Sequence, residues 1–205
     1  MAEMISEPGP DQPYRPVTFI RGAQSSGQFP VGGWDWERQV HAEAPDGSDR
    51  AAVRRVNLAA FPTPNEADLV DALRQDPEAW LPELSVVALD PDGGVVGHAL
   101  LTRCHVDGVP ALALAPVAVL PAWQRQGAGA AMIRALLTAA HAAGEQLVLV
   151  LGHPAYYPRF GFVPASGYGI RPPFAVPDEA MMALALDPGR PVPGGSIRYA
   201  PAFGD

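Results

Sequence analysis

The chain is 205 residues long, 48% hydrophobic and 18% charged, enough for one compact domain with an extension and too little for two large domains. A formal charge of -8 excludes general affinity for nucleic acid or an anionic membrane face, since both need concentrated Lys and Arg. With no apolar run long enough to span a bilayer and no basic leader followed by an apolar segment, the expectation is a cytoplasmic protein without membrane or nucleic-acid partners.

Residues 1–36 are rich in Pro, Gly, Ser and Gln without helical or alternating periodicity, the composition of an arm. This extension is expected to pack on its own domain or on a second copy in a homodimer, with Phe19, Ile20, Trp34 and Trp36 as anchors. A short strand from Arg38 to Ala42 leads into Pro45-Asp-Gly-Ser-Asp, which supplies an N-cap for a helix carrying Val53, Val56, Asn57 and Ala60. Thr63-Pro-Asn-Glu66 opens a second helix with Leu69, Val70 and Leu73 on one face.

Ser85 to Leu89, the turn Asp90 to Gly94, and Val95 to Leu101 read as a hairpin, because glycine supplies the positive φ of tight reversals. A second turn at Asp107-Gly108 leads to Ala111 to Leu120, giving three antiparallel strands in a row. Cys104 lies in an alternating apolar stretch and reads as a buried structural thiol; as the one cysteine it excludes an internal disulfide. A helix from about Gly127 to Ala143 has Met132, Ile133, Leu136, Leu137 and Ala140 on one stripe, with Gly144 at its end. The buried strand Gln146 to Leu151 then completes a βαβ unit, so it should run parallel to the strand ending at Leu120. A short helix at Pro154 to Arg159, a strand start at Gly161, a last strand at Met181 to Leu186 and an irregular tail at 188–205 complete the reading.

Three places carry candidate chemistry. Gln124-Arg-Gln-Gly-Ala-Gly129 puts two glycines at the first turn of a helix, where unpaired N–H groups and the positive end of the macrodipole meet an anion, with Arg125 alongside. The spacing excludes a dinucleotide fingerprint, since the third glycine would fall at Met132, and no Gly-Lys-Ser/Thr follows. Pro116 cannot donate to a ladder and marks a place where strands part. A cleft there would let a linear amide-bearing arm pair with Val117 to Val119 as though it were a strand. Ala155-Tyr-Tyr-Pro-Arg-Phe-Gly161-Phe162 follows the parallel strand, and a tyrosine at the cleft mouth could protonate a departing thiolate.

Together, Val117-Ala-Val119, Gln124-x-x-Gly127-x-Gly129 and Tyr157-x-x-x-Gly161-Phe162 resemble the GNAT superfamily of acetyl-CoA-dependent N-acetyltransferases over residues 37–187. Glu66-Ala-Asp-Leu-Val and Pro173-Phe-Ala-Val-Pro-Asp-Glu also resemble a bacterial subgroup of predicted acetyltransferases. The resemblance implies an α/β (α+β) fold with a mixed, mostly antiparallel central sheet, one parallel splayed strand pair and helices on both faces. It implies acetyl-CoA as co-substrate, no metal, and a small-molecule or peptide amine as acceptor. Val117, Ala118 and Val119 would contact the pantetheine and the thioester carbonyl, and Arg125, Gln126, Gly127, Ala128, Gly129 and Ala130 the pyrophosphate. Gln124, Tyr156 and Arg159 would be neighbouring cofactor contacts, and Tyr157 the general acid. The strand before the glycine loop departs from the family in having no titratable side chain, so Glu66 and His98 become the candidate bases. A non-catalytic acyl-CoA sensor is the alternative, because one fold hosts many functions.

Overall fold

In the computed structural model, which describes residues 34–204, the apolar segments assemble into one nine-stranded sheet. In chain order the elements are β1 (Val40–Ala42), α1 (Arg50–Ala60), α2 (Asn65–Leu73), β2 (Ser85–Leu89), β3 (Val95–Val106) and β4 (Val109–Val119). There follow α3 (Ala128–Ala142), β5 (Leu147–Leu151), β6 (Val163–Pro164), β7 (Ile170–Arg171), β8 (Met181–Ala185) and β9 (Gly195–Arg198). The main path runs β1-β2-β3-β4-β5-β8-β6 and is antiparallel except between β4 and β5, the crossover pair that α3 connects. Phe19 and Ile20 lie outside the described residues, whereas Trp36 is buried and packs edge-on against Trp34 and Trp123 at centroid distances of 6.3 and 5.7 Å.

The two faces of the sheet are covered by different helices. Val53 and Val56 of α1 and Leu69, Val70 and Leu73 of α2 join Val87, Leu100, Cys104 and Ala118 in one core cluster. Met132, Ile133 and Leu136 of α3 join Val86, Leu101, Val117 and Val119 in the other. Each of the three α3 side chains is fully buried, worth about 1.5–3 kcal/mol apiece in apolar area removed from water. No helix among the described residues is long and apolar enough to cross a membrane.

Some expectations shift in detail. Asp49 precedes α1, but its carboxylate accepts from the Ala44 N–H at 2.9 Å instead of capping the helix. The strand expected from Arg38 begins at Val40, after a 3₁₀ turn over Trp36–Gln39. The segment 188–205, expected to be an irregular tail, supplies β9, which takes the edge of β3 beyond the end of β2 and also pairs with β7. A 3₁₀ turn, Pro201–Phe203, follows β9 and packs against α2.

Candidate active site

The site begins where β4 breaks step with β3. Ala99 faces Val117 while Leu101 faces Leu114, so Ala115 and Pro116, joined by a cis peptide bond, oppose Leu100 alone and form a bulge. On its other side β4 pairs with β5 at Leu112↔Val148 and Ala113↔Leu149 and no further, although β5 continues to Leu151. The two parallel strands therefore part just where Pro116 removes a donor. Amide groups alternate sides along a strand, and Leu120 donates to the Val96 carbonyl at 2.8 Å. That alternation turns the amides of Val117 and Val119 toward the gap and that of Ala118 toward β3.

Gln124 reaches back to the end of β4, its Nε2 donating to the Val119 carbonyl at 3.0 Å, and Gln126 Nε2 donates to the Ala122 carbonyl at 2.9 Å. These two bonds brace a loop in which Arg125 has φ 61° and Gly127 has φ 104°. Gly127 is the residue preceding α3, and the first intrahelical bond runs from Ala131 N–H to its carbonyl. The N–H groups of Ala128, Gly129 and Ala130 thus have no intrahelical acceptor, and no side chain caps the helix. Trp36 leans on the loop, since a Cβ at Gly127 would stand 3.3 Å from its indole.

Gly129 is the meeting point. A Cβ there would lie 3.5 Å from the Tyr156 hydroxyl, 3.7 Å from a Val119 methyl and 3.9 Å from a Val117 methyl. The strand bulge, the glycine loop and the tyrosine segment, widely separated in sequence, converge on that bare backbone.

The two tyrosines have different settings. Tyr156 faces Gly129; burial raises its phenol above the ordinary value, against the pull of Arg159 and Arg134. Arg159 sits over the Tyr156 ring at 4.5 Å and donates from Nε to its carbonyl at 2.9 Å. Tyr157 is buried among Tyr156, Phe160 and Phe162 and lies directly on Gly152, where any Cβ would overlap the ring. Gly152 follows the last residue of β5, so Tyr157 is pinned at the end of the parting strand.

Of the base candidates, His98 is fully enclosed, with Asn57 Nδ2 3.3 Å from Nδ1 and Ser85 Oγ 3.2 Å from Nε2. Burial keeps it neutral by lowering its pKa, and it has no place in the lining of the cavity described below. Glu66 stands in the first turn of α2, also buried, with Oε2 unpartnered among the described residues. Burial raises its carboxyl pKa, more than its backbone bond and the Thr63 hydroxyl lower it. Asp178 and Glu179 are exposed in a 3₁₀ turn.

A cavity of about 350 Å³ opens where β4 and β5 separate, bounded by Ala113 and Ala115 on one strand and Leu149 and Leu151 on the other. Phe174, Tyr199 and Phe203 form its outer wall. Sequence reasoning missed this wall: Ser196-Ile-Arg-Tyr is a four-residue alternation hidden between Pro193-Gly-Gly195 and Pro201.

Comparison with known proteins agrees with this geometry. The acetyltransferase (GNAT) domain family matches residues 82–164. The uncharacterised N-acetyltransferase YjhQ of Escherichia coli K12 is 41% identical over 139 residues, covering 65% of this chain and 76% of that protein. Among solved structures, the GNAT family N-acetyltransferase YhbS of Escherichia coli in complex with CoA superposes with a TM-score of 0.72 at 27% identity, covering 81% of this chain and 91% of that one. A GNAT family acetyltransferase from Brucella melitensis in complex with acetyl-CoA gives a TM-score of 0.64 at 33% identity, covering 80% and 96%. The chain belongs to the GNAT family of N-acetyltransferases.

Proposed function

We propose that the protein transfers an acetyl group from acetyl-CoA to a primary amine by direct attack on the thioester. The convergence on Gly129 carries this reading: uncapped helix N–H groups, a strand edge with unpaired amides and a tyrosine segment surround one backbone position without a side chain. The N–H groups of Ala128, Gly129 and Ala130 would bind the pyrophosphate, with Arg125 and Gln126 on the same loop. The pantetheine arm would lie along β4 in the gap, pairing with Val117 as a strand does. Gln124 would hold the loop to Val119, and Tyr156, steadied by Arg159, would flank the phosphates. A donor set of this kind needs no metal. The cytoplasm, where acetyl-CoA is available, is the compartment this reading implies.

In the reaction the neutral amine attacks the thioester carbonyl carbon, the C–S bond breaks, and sulfur leaves with the electron pair. The Val119 N–H would stabilise the developing oxyanion, a donor of a kind worth roughly 10² to 10³ in rate. Tyr157 would give its proton to the thiolate, and its position at the end of β5 supports that role. Glu66, which like His98 is not among the residues lining the cavity, would take, through intervening water, the proton the amine must lose. It is favoured over His98 because both ring nitrogens of His98 are engaged.

The test is a thiol-release assay over a panel of amines with acetyl-CoA, alongside calorimetric binding of the donor. Tyr157→Phe should lower kcat by about 10² or more with donor affinity unchanged. Unchanged kcat in that variant would remove Tyr157 from the mechanism. Tight NAD binding without acetyl-CoA binding would overturn the whole assignment.

A further inference from the structure

The cavity between β4 and β5 lies on the opposite face of the sheet from the glycine loop. Its strand residues Ala113 and Leu149 belong to the α1/α2 core cluster, whereas Val117, Val119 and Ala128 belong to the α3 cluster. The two regions meet where the strands part, beyond Ala113↔Leu149, and Leu114 of the α3 cluster also lines the cavity. A thioester passing through that gap from the α3 side would present its carbonyl to the cavity. At about 350 Å³ the cavity lies at the small end of the usual range for ligand sites.

Its walls specify the occupant more closely. Phe174 stacks on Tyr199 with centroids 6.2 Å apart and planes 16° from parallel, and Phe203 lies against Tyr199 at 5.4 Å. The Tyr199 hydroxyl is directed to Met181 Sδ at 3.7 Å, so the tyrosine offers ring surface instead of an oxygen. Alanines and leucines floor the cavity, and Arg198 is the one charged residue in its lining among the described residues. Among the described residues the lining offers a polycation no carboxylate to offset the hydration it would lose there.

Resting on the acetyl-transfer reading above, we infer that this cavity is the acceptor site and that the acceptor is a small monoamine with a flat apolar body, such as an arylalkylamine. Polyamines and aminoglycosides are outside its range. The amine nitrogen gains the acetyl group and loses a proton, and CoA leaves as the free thiol. The aromatic body lies between the Phe174-Tyr199 wall and the alanine floor of β4.

Full-length protein would be assayed for thiol release with acetyl-CoA and phenethylamine, spermidine or kanamycin, with donor binding measured separately by calorimetry. Phenethylamine should exceed both polycations in kcat/KM by roughly 100-fold, and Phe174→Ala, in a surface loop, should raise its KM about tenfold without changing acetyl-CoA affinity. Equal or better turnover of the polycations overturns the inference, as does an unchanged KM in the variant. A strong preference for hexanoyl-CoA over acetyl-CoA would assign the cavity to the acyl chain and equally overturn it. If acetyl-CoA binds and phenethylamine is not acetylated, the acceptor inference fails while the donor site stands; absence of acetyl-CoA binding removes the reading beneath it.

Discussion

Glu43 is a carboxylate in the interior, and its partners explain why it stays charged. Burial pushes its pKa up, yet His98, the Ser85 hydroxyl donating at 2.6 Å and the buried Arg74 guanidinium together hold it down at about 2. The chain continues through His98 to Asn57, whose amide donates to the Val53 carbonyl at 2.9 Å, so this network ties β1, α1, α2, β2 and β3 together. Glu43→Gln leaves Arg74 with only the half-exposed Asp71 at 3.2 Å, and removing one partner of a buried pair typically costs about 3–5 kcal/mol; urea unfolding measures it. A carboxyl with a depressed folded pKa contributes stability above its unfolded value, so Glu43 stabilises the fold fully above its ordinary 4.5 and loses that contribution as pH falls toward about 2. His98, also depressed, acts in the same direction from a higher starting point, near its ordinary 6.5. Thermal stability should therefore decline in two stages on acidification, and a melting temperature flat between pH 7 and pH 3 would contradict the assignment. Glu66 is shifted the other way, so loss of its carboxylate form should place the acid limb of kcat above the ordinary carboxylate value. Glu66→Gln should abolish that limb, whereas a limb that persists would belong to another group.

The glycine loop works as an element because β4, α3 and the tyrosine segment each leave room for the others. Gly129 is the position where that room can be removed without disturbing the core: an alanine Cβ meets its neighbours at ordinary contact distances of 3.5 to 3.9 Å. Valine adds two methyls where a phosphate would approach the helix N–H groups, and its helix propensity is no lower than that of glycine. Gly129→Ala should keep most donor affinity and Gly129→Val should weaken it more than tenfold with nearly unchanged melting temperature; calorimetry with CoA decides. Elements of this kind were legible because their signals are local. The α3 stripe, the Asp90 to Gly94 turn and the proline inside β4 each act on their own few residues, and together they predicted the hairpin, the parallel pair and its parting. β9 was illegible because its partners, β3 and β7, are supplied by tertiary pairing and not by any periodicity a four-residue strand can display. The tyrosines were half legible: the motif located the pair, but the turn that buries Tyr157 on Gly152 and aims Tyr156 at Gly129 depends on packing. The setting of His98 was not legible for a related reason, since its partner Glu43 is brought in by β1 from far along the chain.

At the scale of the molecule, the proposed donor and acceptor sites fall on opposite faces of the sheet. The glycine loop opens on the α3 face and the aromatic cavity on the α1/α2 face, an arrangement in which the proposed substrates would be bound at once, with the reacting atoms meeting at the parting of β4 and β5. A relay through an acetylated enzyme would instead need a nucleophile within reach of the thioester. Cys104, the one cysteine, is buried and its thiol is pushed up to about 12 by desolvation, leaving almost no thiolate at neutral pH. Ser85 is also buried, with its hydroxyl committed to Glu43, whose low pKa makes it a poor proton acceptor. The proposed arrangement therefore calls for a ternary complex and direct transfer. Initial rates measured over a grid of acetyl-CoA and amine concentrations should give intersecting double-reciprocal lines, and protein incubated with acetyl-CoA alone should show no added acetyl mass. Parallel lines together with an acetylated protein would mean that the two faces are used in turn, with a side chain carrying the acetyl group between them.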